Sequence, residues 1–229
     1  MPFIGTEAPP VYVSPPQPAA GPGGPVTWRT LPDGAIEVLE EGVIMPRSAA
    51  HVTRLQNTIA KWRALAAEQS DRTSVPASWI LAIIDVESAG NPVVESPAGA
   101  VGLMQIMPSW WKGHTKAEMQ TAPVNATIGV DLLRAIATSS GVLGELPKVA
   151  SVYNCGSNDA TNTPRARPGT RWGMCAEGWY IDDVVRANNW IVRELGGGGG
   201  SVSAASTGGG GVLLVVLVAL YALAKGIGR

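Results

Sequence analysis

The chain has no excess of charge of either sign. Its 229 residues hold 17 basic and 18 acidic side chains, a formal net charge of −1. Nucleic-acid-binding domains gather Lys and Arg into a basic face, so that class is set aside. Histidine and cysteine are scarce. His51 and His114 lie far apart, with no cysteine or carboxylate at ligand spacing, so no metal site is readable. Cys155 and Cys175 leave two readings open: a disulfide in a chain working outside a reducing cytoplasm, or two buried free thiols. The first residues lack a basic stretch and a continuous apolar core, so they do not read as a secretory signal. Charged residues are only 15% while glycine reaches 28 copies, so the ends are read separately from the centre.

Residues 1–25 are dominated by proline and glycine and read as an extended arm, either a linker or a strap across a partner protein. Residues 26–46 read as a β-hairpin, with Trp28, Leu31, Ile36, Val38 and Leu39 flanking the turn signal Pro32-Asp33-Gly34. The segment 47–195 is mainly helical. Ser48 opens a helix through about Gln69, with Val52, Leu55, Ile59, Trp62 and Leu65 or Ala66 on one stripe. Arg54, Lys61 and Arg63 read as its solvated side. Ser74 and Pro76 signal the start of a second helix, and Gly90 and Pro92 its end. Further helices are expected over Thr127–Thr138, over Pro147–Tyr153 closed by Gly156, and over Tyr180–Leu195. Arg165, Arg167 and Arg171 lie in a loop between them, either solvated or facing an anionic glycan. One of Trp110 and Trp111 is assigned to the core and the other to a cleft. Residues 196–211 form a glycine-rich linker, and 212–225 a hydrophobic helix. That run alone is short for a bilayer, which takes about 20 apolar residues. No charge occurs from Leu195 to Ala224, however, so a membrane helix is favoured over a core or oligomerisation helix.

Glu87 falls in the last turn of the second helix. Ile80, Ile83 and Ile84 precede it by seven, four and three residues and share its face. A carboxyl on an apolar face loses hydration, which favours its protonated form. Position alone favours reading Glu87 as a solvated surface residue. Asp85 points to nearly the opposite face and reads as structural or exposed.

Around Glu87 the chain reads Glu87-Ser88, Asn91-Pro92, then Ser96-Pro97-Ala98-Gly99-Ala100-Val101-Gly102-Leu103-Met104-Gln105-Ile106-Met107-Pro108. Later come Asn125-Ala126-Thr127-Ile128-Gly129 before Leu132-Leu133, Val152-Tyr153-Asn154-Cys155-Gly156, and Tyr180-Ile181. These ordered blocks, over residues 70–192, resemble the soluble lytic transglycosylase family, relatives of goose-type lysozyme. The resemblance implies a mainly α, lysozyme-like domain that cleaves peptidoglycan between N-acetylmuramic acid and N-acetylglucosamine and needs no cofactor. Glu87 would be the single catalytic acid, releasing a 1,6-anhydro sugar; a hydrolytic outcome is the alternative. Ser88, Met104, Gln105, Tyr153, Asn154 and Tyr180 would bind substrate, with Ser88 bonding near Glu87. Cys155 stands where many relatives have alanine, and pairing with Cys175 would pin the loop between them.

Lys225 and Arg229 follow the hydrophobic run, which puts the C-terminus in the cytoplasm and the catalytic part outside. A bacteriophage virion protein that opens the wall at genome entry fits this topology, with the arm contacting other virion proteins. The rivals are a cellular or secretion-system wall-remodelling enzyme, and a glycan-binding structural virion protein without activity.

Overall fold

A computed structural model describes residues 25–196, apart from 143, 158, 160 and 177. The arm before Pro25, the linker beyond Gly196 and the hydrophobic helix over 212–225 lie outside the described residues. Among the described residues no helix is long and apolar enough to cross a membrane.

The chain begins with three short strands, β1 (Trp28–Thr30), β2 (Ile36–Val38) and β3 (Gly42–Val43), antiparallel in the order β1-β2-β3. The expected hairpin thus gains a third strand. Asp33 makes the first turn by accepting from the Ala35 N–H at 3.0 Å. Ile36 and Val38 are buried on one face. Asn189, far along the chain, accepts from the Ile36 N–H at 2.6 Å and donates to the carbonyls of Ile36 and Ile44, each at 2.9 Å. One carboxamide therefore satisfies three backbone groups that the small sheet leaves unpaired.

Helix α1 (Ala49–Thr73) starts where Ser48 accepts the His51 N–H at 3.2 Å. It runs four residues past the expected end. Ser74 closes it in the left-handed region, φ 63°, with its N–H on the Ser70 carbonyl. Ser74 therefore ends α1 rather than capping the next helix. Pro76 explains the break: it lacks an N–H and pushes Val75 out of helical conformation. Helix α2 (Ala77–Ser88) follows with no side-chain cap. Its residues from Ser78 to Asp85 are all buried, and it packs between α1 and α6 (Gly178–Leu195).

A loop, a 3₁₀ turn at Pro108–Trp110 and the short α3 (Lys116–Met119) lead to α4 (Ala122–Ala137) and α5 (Leu146–Cys155). Helix α4 begins five residues before the expected Thr127, because Pro123 suits a first helical turn. This puts Asn125 inside the helix, fully buried. Its side chain accepts from the Met104 N–H at 2.7 Å and donates to the carbonyls of Val101 and Met119 at 2.8 and 2.7 Å. Gly102 sits against it with φ +79°, and a Cβ there would lie 2.3 Å from the Asn125 amide nitrogen. The loop after α2 is thus shaped by a polar side chain, and only glycine fits at that contact.

Cys155, at the end of α5, is bonded to Cys175, with Cα atoms 6.4 Å apart and a sequence separation of 20. Closing a loop of that size contributes about 3 kcal/mol by restricting the unfolded chain. Replacing both cysteines by alanine is expected to lower the urea unfolding free energy by that amount. Dithiothreitol should do the same to the unaltered chain. An unchanged midpoint under both treatments would remove the disulfide from the stability account.

Candidate active site

Glu87 occupies the last turn of α2, half-buried. Its Oε1 accepts the hydroxyl of Tyr180 at 2.8 Å. Tyr180 is buried in the first turn of α6, and Trp179 stands edge-on to it at 5.9 Å between ring centroids. Two residues 93 positions apart are thereby joined at the end of a buried helix.

Asp85 faces the other way, toward α1. It is 1% exposed and accepts two hydrogen bonds from Arg54 Nε at 3.1 Å, one from Arg54 Nη2 at 2.8 Å and one from Thr58 at 3.2 Å. His51 Nε2 lies 3.4 Å from its Oδ2. Burial pushes the Asp85 carboxyl up, but the His51 and Arg54 side chains together outweigh it and hold the group below the ordinary aspartate range. Arg54 is therefore not part of a solvated helix side, and His51 is not isolated from carboxylates. Both brace α1 against the helix that carries Glu87. Sequence spacing could not show this, because 31 residues separate Arg54 from Asp85.

Asp182 and Asp183 on α6 received no role from the sequence. Asp182 accepts from Arg47, from Arg171 Nε and from the Trp172 indole N–H, each at 2.9 Å. Arg171 also pairs with Glu41 beside the sheet, with one contact at 2.8 Å. The segment before α1, the loop after α5 and the sheet thus converge two residues beyond Tyr180. Burial pushes the Asp183 carboxyl up from its ordinary value, although His51, Arg47 and Arg54 pull it down. The only forewarning was a pair of acids in an otherwise apolar helix start. Of the three loop arginines, Arg171 is thus an anchor rather than a solvated side chain. Arg165 reaches the Ser157 carbonyl at 3.4 Å, and Arg167 is exposed.

The other expected site residues lie at the end of α2, in the loop after it and in α5. Tyr153 and Met104 are fully buried, and the Tyr153 hydroxyl donates to the Met104 carbonyl at 2.8 Å. Gln105 holds φ +49° and donates its amide to the carbonyls of Gly102 and Val94 at 3.0 and 3.3 Å. A non-glycine residue in this region carries strain, which the surrounding bonds sustain. Asn154 is buried at the end of α5. The Ser88 hydroxyl donates to the Ile84 carbonyl at 3.0 Å, within the turn of α2 that carries Glu87. Trp111 is half-buried against the core. Among the described residues no group of three His, Cys, Asp or Glu side chains is placed to hold a metal ion.

Residues 64–170 match the transglycosylase SLT domain family. That segment is similar to SLT domains. It includes Glu87, the loop through Gln105 and the Tyr153-Asn154 pair, whereas the sheet and Tyr180 lie outside it. The chain is 40% identical over 55 residues to membrane-bound lytic murein transglycosylase E of Buchnera aphidicola, an overlap of 24% of this chain and 25% of that protein. It is 33% identical over 84 residues to endo-type membrane-bound lytic murein transglycosylase A of Klebsiella pneumoniae, covering 32% of this chain and 41% of that one. The chain thus spans well under half the length of these relatives. The fold of the SLT domain and its surroundings is similar to that of the 70-kDa soluble lytic transglycosylase in its complex with bulgecin A. The TM-score is 0.51 at 21% identity, over 66% of this chain and 27% of that one.

Proposed function

We propose that this chain is a lytic transglycosylase that cleaves peptidoglycan, with Glu87 as its only catalytic carboxyl. The observation that carries the reading is the placement of Glu87: inside the SLT domain, at the end of a buried helix, held by the Tyr180 hydroxyl at 2.8 Å. Glycosidases of the common kind work with two facing carboxylates about 5–9.5 Å apart. Asp85 is no such partner, since it is spent on Arg54 and Thr58 on the far side of α2.

With one acid, the chemistry runs as follows. Glu87 protonates the glycosidic oxygen between N-acetylmuramic acid and N-acetylglucosamine. The substrate's acetamido oxygen stabilises the sugar cation. Glu87, now a carboxylate, takes the proton of the muramoyl 6-hydroxyl, whose oxygen closes onto the anomeric carbon. The acid is regenerated and no water is consumed. The hydroxyl of Tyr180 steadies the carboxylate form between the two transfers. Gln105, Asn154 and Ser88 orient the sugar, while the buried Tyr153 hydroxyl fixes the loop at the Met104 carbonyl.

Full-length chain incubated with purified peptidoglycan tests this directly. The expected fragments are one water lighter than hydrolysed ends; fragments carrying that water would make the chain a hydrolase. Tyr180→Phe should lower turnover about ten- to a hundred-fold, the worth of a hydrogen bond to a charged group. Circular dichroism should remain unchanged. Full turnover in that variant would relieve Tyr180 of its role.

The place of action that fits is outside the cytoplasm, delivered by a bacteriophage virion at genome entry. The Cys155–Cys175 bond suits an oxidising compartment. The apolar run at 212–224, followed by Lys225 and Arg229, suits a membrane anchor with the enzyme outside. The membrane-bound bacterial relatives favour a second reading, a cellular wall-remodelling enzyme. Intact chain in purified virions supports the first; chain confined to uninfected cells supports the second.

A further inference from the structure

On the flank of α2 away from Tyr180 lies a concavity of about 300 Å³, between the middle of α1 and the turn after α2. That volume is at the lower end of small-ligand sites. We propose that it is a second glycan site, which holds one carboxylated acetamido-sugar residue without cleaving it.

The platform is Trp62. Its indole N–H donates to the Gly90 carbonyl at 2.9 Å, which locks the edge of the ring. Gly90 holds φ +74°, and a Cβ there would press within 3.2 Å of Trp62 and of the Thr58 hydroxyl, so glycine keeps the ring seated. A rigid aromatic surface attracts the weakly positive C–H face of a pyranose through the negative face of its ring. The Nζ of Lys61 lies 4.9 Å from the Trp62 ring centroid. Lys61 is exposed, and among the described residues no carboxylate pairs with it. Lys61 lies over that ring face in the free protein; its exposed, flexible arm swings aside for the sugar, and the ammonium then meets a carboxylate on it.

Two carboxamides complete the site. Asn57 is exposed, and its side chain makes no hydrogen bond among the described residues. Asn91 accepts the Val93 N–H at 3.1 Å, which leaves its amide nitrogen as a donor. Such groups match the acetamido and hydroxyl functions of an amino sugar. The combination of stacking face, cation and paired amides therefore selects an N-acetylmuramoyl residue over a neutral sugar. That choice of sugar rests on the wall-polymer reading above. The Glu87 carboxyl faces α6, and no acid lines this pocket, so the site binds and does not cut. A second foothold would keep the enzyme on an insoluble polymer between cleavage events.

The test uses the full chain carrying Glu87→Gln, so that binding is read without digestion, and co-sedimentation with purified insoluble peptidoglycan. Adding Trp62→Ala or Lys61→Glu is expected to weaken retention about ten-fold, the size of a contributing contact residue. In the chain with Glu87 intact, the same substitutions should leave turnover of short soluble glycan strands unchanged while slowing release from insoluble wall. Lys61 is exposed, so Lys61→Glu keeps the fold if Trp62→Ala does not. Retention equal to the parent for Lys61→Glu overturns the site, as does a parallel loss of soluble-strand turnover, which would merge the pocket with the catalytic groove. Retention that depends on Lys61 in a chain showing no cleavage supports the binding site and removes the transglycosylase reading, so the two fail separately.

Discussion

Glu87→Gln is expected to cut the release of soluble fragments from purified peptidoglycan by about 10²- to 10⁴-fold, the contribution of a positioned general acid and base. Glutamine keeps the shape of the side chain and an oxygen for the Tyr180 hydroxyl, so the 2.8 Å contact has a direct replacement. What glutamine cannot do is give up a proton and take one back. The proposed cycle needs both transfers from one group, because the nearest acid in sequence on α2 is committed to Arg54. Stability should change by no more than about 0.5 kcal/mol, as for a part-exposed position outside the core. Fragment release at the rate of the unaltered chain would end the catalytic assignment of Glu87. A drop in activity accompanied by a large drop in melting temperature would count against it as well, since unfolding would then suffice.

Asp85→Ala carries the largest expected stability loss, about 3–5 kcal/mol, because it removes the buried carboxylate that joins Arg54, Thr58 and His51 across the α1–α2 interface. Its pH behaviour has a definite sign. The folded carboxyl is held below its unfolded value by His51 and Arg54, despite the opposing effect of burial. The folded state therefore binds this proton less readily than the unfolded state. The stabilisation is complete above the unfolded aspartate value and is lost as pH falls through the folded one. Urea unfolding of the unaltered chain and of Asp85→Asn should differ most near neutral pH and converge on the acid side. A difference that stays constant across the acid limb would show that the Asp85 charge is not what joins α1 to α2. Removing the pair together, as Arg54→Met with Asp85→Leu, should recover much of the loss, since neither partner is then left buried and unmatched.

Two arginines and a histidine show where spacing along the chain falls short. Arg54, Arg171 and His51 look like surface residues because their partners are remote: Asp85 is 31 residues from Arg54, and Glu41 is 130 from Arg171. Ser74 misled for a different reason. Serine before proline fits a helix start, yet here the preceding helix was long enough to reach it and end there. Asn189 likewise gave no sign that it would complete a small sheet across 153 residues.

What the sequence alone determined were features written within a turn or two of chain. Pro76 had to break the helical run. Glu87 had to fall in a last turn behind apolar neighbours. Gly156 could close α5, and the motif blocks carried the resemblance to the SLT family. Such signals are local sterics and capping, complete before any packing occurs. Only the tertiary structure decided which hydroxyl meets Glu87, which charges brace its helix, and that Cys155 and Cys175 meet. Those contacts join segments whose approach is set by burying α2 between α1 and α6, and no pattern along one segment encodes the distance to another.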